Sequence, residues 1–207
     1  MTPRALFRKY NIFSVQQHQE QKVKEAVRAL PQERLSEDEE KLAAEIAASL
    51  TMDLPTLDPS QVYQTDRQVQ LDARALPNRF VFNRSRPVPV DGTEITIHIP
   101  FTGDPSMFDV CPSHHNLNPP IAEIDATNSE ILLIYRTAED NLPIKARYEA
   151  TLRDISQHLE WLRPAATQTD GLKQIARGEL AKRRQASEAH AKIVGALGIP
   201  RRPDRHA

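Results

Sequence analysis

The fold is decided by LPIKARYEATLRDISQHLEWLRPAATQTDGLKQIARGELAKRRQASEAHAKIVGALGIP, residues Leu142–Pro200. This stretch predicts two helices joined by a short turn. In the first helix, apolar residues recur at steps of three and four, so they share one face of a 3.6-residue helix. The residues of this face are Ile144, Tyr148, Leu152, Ile155, Leu159 and Leu162. Pro143 suits a first helical turn, and Pro164 is expected to end the helix.

The second helix is predicted to begin between Thr167 and Asp170, where N-cap residue types occur, and to run to about Ala196. Apolar residues mark one face near both ends, whereas the middle, residues 179–185, is mostly polar. The apolar residues are Leu172, Ile175, Ala176, Leu180, Ala186, Ala189, Ile193, Val194 and Leu197. A long helix with a polar waist is typical of one that projects beyond its own domain or meets a partner.

Basic side chains dominate the polar face of the second helix and allow three interpretations. A solvated surface is the plainest, because Glu179 with Arg183 and Glu188 with Lys192 have the spacing of helix ion pairs. A phosphate-contacting stripe is the second, although no aromatic residue lies between the basic ones to stack on bases. The third is the rim of a protein-docking surface. Trp161 lies off its helix's apolar stripe, where it either covers the turn or anchors a partner. The candidate partner-binding residues are Trp161, Arg177, Arg183 and Arg184.

A loose pattern of apolar, Gly and Pro residues covers both this helical pair and the chain before it. Its residues are Ile97, Ile99-Pro100-Phe101, Gly103-Asp104, Phe108, Pro112, Leu152, Ile155, Leu159, Trp161, Leu172, Ile175, Arg183-Arg184 and Leu197-Gly198-Ile199-Pro200. With them, about Glu94 to Pro200 resembles the N-terminal region of hypothetical bacterial proteins that can continue into a restriction-endonuclease-like nuclease domain. The chain departs from that pattern by stopping seven residues after Pro200. The resemblance therefore implies a module that senses, docks or regulates, without nuclease activity.

The charge of the 207-residue chain is balanced overall but uneven along its length. A net charge of −1 gives no general bias toward nucleic acid or acidic membranes. Residues 31–60 hold two basic and eight acidic residues, whereas residues 143–207 hold thirteen basic and seven acidic residues. Such opposite segments indicate either internal electrostatic fit or head-to-tail association.

The cysteine content and the hydropathy of the chain indicate in which cellular compartment to expect the protein. A single cysteine, Cys111, excludes an intrachain disulfide framework. The first residues lack the apolar core of a signal peptide, and no apolar run approaches membrane-spanning length. We therefore expect a cytoplasmic protein without a membrane partner.

The first sixty residues predict a basic, aromatic arm followed by two helices. The arm, residues 1–13, is expected to bury Phe7, Ile12 and Phe13. A helix is predicted over residues 15–30. Ser36 with Glu39 has the spacing of a capping box, which would open a second helix.

Strand patterns dominate from residue 61 to residue 142. Strands are predicted at Val69–Leu71, Phe80–Phe82, Ile95–Ile99, Ile121–Ala126 and Ile131–Tyr135. Asp91-Gly92 is a turn signal before the third of these strands. The continuous apolar run Ile131–Tyr135 is typical of a central strand that is buried on both faces.

Strands followed by two helices predict an α+β fold. We expect a mostly antiparallel sheet of about five strands with an N-terminal helical pair and a C-terminal helical hairpin. The expected segments, within one folded unit, are an N-terminal helical segment over residues 1–60, a β-rich region over residues 61–142, the hairpin over residues 143–200 and a tail over residues 201–207.

The segment Gly103–Pro120 lacks a regular pattern, and long loops of this kind are often functional. Its chemically versatile residues are Asp109, Cys111, His114 and His115. As a zinc site, this set lacks a second cluster of matching spacing. As a nucleophile with its base, Cys111 needs a histidine within hydrogen-bond reach, which proximity in sequence does not supply. The plainest interpretation is a buried cysteine beside surface histidines, and we expect no cofactor.

Several enzyme motifs are absent from the sequence. It has no P-loop, no dinucleotide-binding glycine motif, no nucleophile elbow and no His-Glu-x-x-His. His98 alternates with isoleucines, which favours a polar-face residue over a catalytic base. The sequence therefore favours a non-enzymatic interaction or regulatory module of a bacterial cytosolic assembly, which docks through its C-terminal helices onto another protein or a second copy. Nucleic-acid binding through the last helix is the alternative.

Overall fold

The computed structural model has a mixed α+β fold in two compact units, which confirms the predicted class. The structure describes residues 2–76, 82, 85–114, 118–139 and 143–196. Unit 1 is Met1–Val15 with Met52–Ala166, and unit 2 is Gln16–Thr51 with Thr167–Ala207. Each unit joins two distant stretches, whereas the segments expected from the sequence are contiguous. No helix among the described residues is long and apolar enough to cross a bilayer.

An antiparallel sheet forms the frame of unit 1. The strands of the chain are β1 Arg4–Ala5, β2 Tyr10–Asn11, β3 Thr56–Leu57, β4 Tyr63–Asp72, β5 Pro89–Thr102, β6 Val110–Cys111, β7 Ile121–Asp125 and β8 Glu130–Thr137. The main sheet has the order β1-β7-β8-β5-β3, and β4 also pairs with β5. Strands β2 and β6 form a separate parallel pair.

Four helices carry most of the remaining described chain. They are α1 Ile12–Ala29, α2 Glu39–Ser49, α3 Ile144–Ala166 and α4 Thr169–Ala196. Helix α4 matches its predicted bounds, whereas α1 begins three residues before the predicted start. The helix α3 continues through Pro164, against the prediction, because Pro164 lies in its last turn and Ala166 is buried there.

The predicted capping box of α2 is wrong. Asp38 is the N-cap residue, and its carboxylate accepts a 2.8 Å hydrogen bond from the Lys41 amide. Ser36 instead ends a short 3₁₀ turn, where its hydroxyl donates to the Glu33 carbonyl at 2.6 Å. The turn delays the start of the helix by two residues relative to a Ser36 cap.

The predicted apolar face of α3 packs on the sheet. Ile155 and Leu162 are fully buried and belong to the same core as Ile97, Ile99 and Ile131 of the central strands. This packing covers one face of the sheet. Burial of these aliphatic side chains contributes about 1.5–3 kcal/mol each to folding.

The prediction that Ile131–Tyr135 is buried on both faces is wrong. Ile131 and Leu133 are buried, but the intervening Leu132 is only half-buried. Strand β8 is central, as predicted, since it lies between β7 and β5. Its second face is the open side of an antiparallel sheet, which accounts for the alternation.

The turn predicted at Asp91-Gly92 is also wrong, because both residues lie inside β5. Gly92 is opposite Val69, and a Cβ atom there would lie 2.8 Å from the Thr137 carbonyl oxygen. The glycine is therefore required by close packing between strands. The strand predicted at Phe80–Phe82 falls mostly outside the described residues, and Phe82 itself is exposed and outside any strand.

The N-terminal arm is an integral part of unit 1. Strand β1 pairs with β7, and the Phe7 amide donates to the Phe108 carbonyl at 2.6 Å. Phe7 adopts a left-handed φ of 54° and stacks on His158 with ring centroids 4.8 Å apart. The predicted burial is confirmed for Phe7 and Ile12 but is wrong for Phe13, which is 60% exposed.

Helices α1, α2 and α4, with the 3₁₀ turn Glu33–Ser36, share the core of unit 2. The buried residues of this core are Val23, Val27, Leu35, Leu42, Ala43, Ile46, Ala47, Leu172, Ala176 and Leu180. The spacing of Leu172, Ala176 and Leu180 places them on one face of α4. The N-terminal half of α4 is thereby fixed against α1 and α2.

We expect Gly92→Ala to destabilise unit 1 by about 1–3 kcal/mol, because the added methyl group meets backbone and the Leu71 side chain. Urea unfolding followed by circular dichroism would measure the change. The matched control is Gly178→Ala in α4, where an added Cβ meets nothing within 4 Å. We expect the control to stabilise unit 2 by about 0.5–1 kcal/mol, and equal effects of the two substitutions would contradict the packing argument.

Candidate functional site

The predicted basic residues of α4 mostly pair with acids inside unit 2. Lys173 Nζ lies 2.5 Å from Glu40 Oε1, and Arg177 Nη1 lies 3.2 Å from Glu40 Oε2. Arg184 Nη1 lies 3.2 Å from Glu39 Oε2. Both acids occupy the first turn of α2, where the helix dipole also favours negative charge. The hydrogen bond from Lys173 holds the pKa of Glu40 below its ordinary value.

Arg183 makes a structural contact. Its guanidinium donates to the Val27 carbonyl and, at 2.5 Å, to the Leu30 carbonyl. These carbonyls lie at the C-terminal end of α1, where the regular helical hydrogen bonds end, and the Val27 carbonyl also accepts from the Leu30 amide at 3.4 Å. The ion pair expected between Glu179 and Arg183 is not formed, since Glu179 accepts from Lys182 at 2.8 Å.

The C-terminal half of α4 contributes no buried residue to the core of unit 2. Leu180 is the last buried residue of the described helix, and residues 181–196 are exposed or half-buried. This half makes several polar contacts. Besides those of Arg183 and Arg184, Gln32 donates a hydrogen bond to the Ser187 hydroxyl. We call residues 181–196 the distal end of α4.

The predicted apolar stripe of α4 continues along this distal end. It runs through Ala186, Ala189 and Ile193, all three of which are exposed. The Ile193 side chain is 67% exposed. At 1.5 Å per residue the distal end is about 24 Å long. Its exposed apolar side chains, from Ala186 to Ile193, span about two helical turns.

Trp161 lies over the end of the unit 1 core. It is half-buried, and its ring meets that of His158 edge to face with centroids 4.9 Å apart. His158 is itself buried, and its Nδ1 lies 2.7 Å from the Asp154 carbonyl oxygen. This packing gives Trp161 a structural role, and its predicted role in partner binding stays a prediction.

The described part of the segment Gly103–Pro120, residues 103–114 and 118–120, is more ordered than its sequence suggests. A 3₁₀ helix, Pro105–Asp109, is followed directly by β6. Asp109 forms ion pairs with Arg4 and with Lys9 of the N-terminal arm. Asp109 therefore fastens the arm to the loop.

The remaining candidates of this loop are not brought together. Cys111 is half-buried in β6, with Sγ 3.6 Å from the Pro112 carbonyl oxygen. His114 is exposed and hydrogen-bonds to the Ser113 hydroxyl at 3.2 Å, and His115 lies outside the described residues. Among the residues that the structure describes, no three His, Cys, Asp or Glu side chains are placed to hold a metal ion.

A hydrogen-bonded cluster occupies the open face of the sheet. His98 lies 2.9 Å from Glu130 Oε2 through Nδ1 and 3.0 Å from Thr65 Oγ1 through Nε2. The Tyr63 hydroxyl donates to Glu130 Oε1 at 2.8 Å, and the Tyr63 ring stacks on His98 with centroids 4.4 Å apart. The hydrogen bond to Glu130 raises the pKa of Tyr63.

The order hydroxyl, imidazole and carboxylate in this cluster is that of a hydrolytic triad. Catalysis of acyl transfer also needs free N–H donors that stabilise an oxyanion. His98 lies in β5 between two paired strands, so the backbone N–H groups around it are engaged in the sheet. The geometry therefore favours a network that ties β4, β5 and β8 together.

A second cluster on the same face centres on Glu94, whose side chain is buried. Arg67 Nη2 lies 2.5 Å from one carboxylate oxygen, and Arg136 Nε lies 2.6 Å from the other. Burial raises the pKa of Glu94, but the two guanidiniums outweigh that effect and hold it below its ordinary value. A groove of about 380 Å³ lies between this cluster and His98.

Sequence reasoning named only His98 among these open-face residues. The alternation of β5 places His98 opposite the isoleucines, as expected. Glu94 lies four residues before His98 in β5, so the same alternation places it on this face. The positions of Thr65 and Glu130 beside His98 depend on strand register, which a single sequence does not reveal.

Comparisons of the chain with protein-family models, with curated proteins and with solved structures found no match. The resemblance of about Glu94 to Pro200 to a nuclease-associated bacterial module stays a prediction. Function is therefore argued from the geometry.

We expect Glu94→Gln to lower the free energy of unfolding by about 1–2 kcal/mol at pH 7, because two charge-assisted hydrogen bonds are lost while the exposed arginines rehydrate. The pKa of Glu94 is depressed in the folded state, so its contribution is complete above the ordinary value of 4.5 and is lost as the pH falls through the folded value. The difference between wild type and variant should therefore shrink in acid, as urea titrations at several pH values would show. An unchanged difference below pH 4 would contradict this assignment, and Glu188→Gln on the exposed face of α4 is the control.

We expect Arg183→Met to destabilise unit 2 by about 1–3 kcal/mol, since it keeps the aliphatic stem but removes the guanidinium donor from the Leu30 carbonyl and leaves the Val27 carbonyl with its 3.4 Å hydrogen bond from the Leu30 amide. Thermal unfolding followed at 222 nm would measure the loss. Lys192→Met, at an exposed position of the same helix, should change stability by less than about 0.5 kcal/mol. Equal stability of the two variants would rule out a capping role for Arg183.

Proposed function

We propose that this protein is a non-enzymatic interaction module that docks through the distal end of α4. The observation that carries the proposal is the exposed apolar stripe on residues 181–196, which continues a helix whose first half is fixed in the core of unit 2. A rigid helix that presents apolar anchors at helical spacing is a common mode of protein recognition. A regulatory or docking role in a bacterial cytosolic assembly is the wider form of this proposal.

The partner we envisage is an amphipathic helix of another protein with acidic residues along its flanks. Ala186 and Ala189 permit a close approach of helices, and Ile193 supplies a large apolar contact. Lys182, Arg183 and Arg184 are engaged within unit 2, so Lys192, next to Ile193, is the basic residue that an acidic flank would meet. The distal end of a second copy offers one acid, Glu188, so a partner with acidic flanks is the better electrostatic match.

Nucleic-acid binding is less well supported by the arrangement of α4. Lys173, Arg177 and Arg184 already pair with Glu39 and Glu40. Phosphate groups would have to displace these carboxylates. The acids also lower the positive potential that attracts a polyanion.

We expect a photoreactive phenylalanine analogue at position 193 to cross-link one protein in cells of the organism that encodes the chain. The contact should map to an acidic-flanked amphipathic helix of that protein, as identified by mass spectrometry. Position 121 is the matched control, because Ile121 is 64% exposed and Ile193 is 67% exposed. With the purified pair, Ile193→Asp should weaken binding at least tenfold, or about 1.4 kcal/mol, whereas Ile121→Asp should leave it unchanged.

Three results of the cross-linking experiment would overturn the proposal. Equal labelling at positions 193 and 121 would show that the distal end is not a specific surface. An adduct with a second copy of the chain would establish self-association instead. An adduct with nucleic acid would establish the alternative function.

A further inference from the structure

Strand β4 forms an open edge of the sheet. It pairs with β5 over ten residues, and no other strand in the described part of the chain pairs with it. The first six residues of β4 are all exposed. Because β5 lies on one side only, the other side of β4 presents backbone N–H and C=O groups in a row.

Strand β4 lacks two common protections of an edge strand, since its sequence, YQTDRQVQLD, contains no proline and no lysine. Its charged residues are Asp66, Arg67 and Asp72, of which Arg67 pairs with Glu94 and Asp72 with Arg74. The strand is also longer, at ten residues, than the usual strand of about five or six residues. An uninterrupted edge of this length is a template for the addition of another strand.

An apolar groove opens beside the first residues of this edge. It has a volume of about 420 Å³ and lies between the sheet and the start of α3. The residues that line it are Val62, Tyr63, Gln64, Ile95, Ile97, Ile144, Lys145 and Tyr148. Lys145 carries the only formal charge among them at neutral pH.

We infer that the edge of β4 binds an extended peptide segment of another protein, which adds to the sheet as a strand. A strand added beside β4 lies about 4.8 Å away, and its alternate side chains point toward the α3 side of the sheet. One such apolar side chain fills the groove. An acidic residue two positions along the peptide, on the same face, meets Lys145.

The groove chemistry selects this occupant over others. An apolar lining with one ammonium group complements an apolar residue followed by a carboxylate. A helix cannot satisfy the row of backbone groups on β4, because its own backbone groups are bonded internally. The surface lies within unit 1, so this inference is independent of docking by the distal end of α4 in unit 2.

The probe is a peptide selected by phage display. A library of random twelve-residue peptides is panned against the immobilised full chain. We expect enriched sequences with apolar residues at alternate positions and an Asp or Glu on the same face. The strongest peptide is then synthesised in two N-methylated forms, one methylated at odd positions and one at even positions. Each form blocks hydrogen bonding along one edge of the peptide only, and the protein stays unchanged.

Strand addition predicts that one methylated form binds at least tenfold more weakly, whereas the other binds like the parent peptide. Lys145→Glu should weaken binding of the parent peptide about tenfold. Changing the acidic residue of the peptide to lysine should restore binding to this variant. Lys192→Glu, an exposed lysine on α4, should have no effect and serves as the control.

Several outcomes would overturn the inference. Failure to enrich any peptide, equal effects of the two methylation patterns, or insensitivity to Lys145→Glu would each do so. A dimer of the chain that is detected by sedimentation and abolished by Lys145→Glu would assign the edge to self-pairing instead. Loss of cross-linking at position 193 would say nothing about peptide binding at the edge of β4. Each proposal can therefore be overturned without the other.

Discussion

The register of β5 is the constraint on which unit 1 depends. This strand pairs with β3, β4 and β8, so one alternation of side chains decides both faces of the sheet. Ile97 and Ile99 point to the core beneath α3, and Glu94 and His98 point to the open face. A slip of one residue would exchange the two sets. The core and both polar clusters therefore depend on the same strand register.

Ion pairs between α2 and α4 constrain unit 2 as the register of β5 constrains unit 1. The acidic segment before residue 60 supplies Glu39 and Glu40 at the start of α2, and the basic segment supplies the residues of α4 that meet them. Each exposed pair contributes little alone, about 0–1 kcal/mol, but the shared partners make a network. Arg183 adds a contact of another kind, between a guanidinium and helix-end carbonyls. The acidic and the basic segments of the sequence thus largely pair with each other within unit 2.

The sequence was a good guide where the signal is periodic and a poor one where it is local or long-range. Helical spacing located α3 and α4, and alternation located β5 around Ile95–Ile99. Local signals failed at Ser36, where Asp38 two residues later caps the helix instead, and at Pro164, which lies inside the last turn of α3. The candidate residue Arg183 was chosen for its charge, but its carbonyl partners lie 156 and 153 residues away. Register and such distant pairings leave no pattern in a single sequence.

The arm has a consequence for how the chain is made. Arg4 and its partner Asp109 are separated by 105 residues, and a ribosome adds about 5–20 residues per second. Leu6 and Phe7 are therefore synthesised roughly 5–20 s before Phe108 and Asp109 exist to receive them. During that interval these two large apolar side chains have no core to enter, although both are buried once folding is complete.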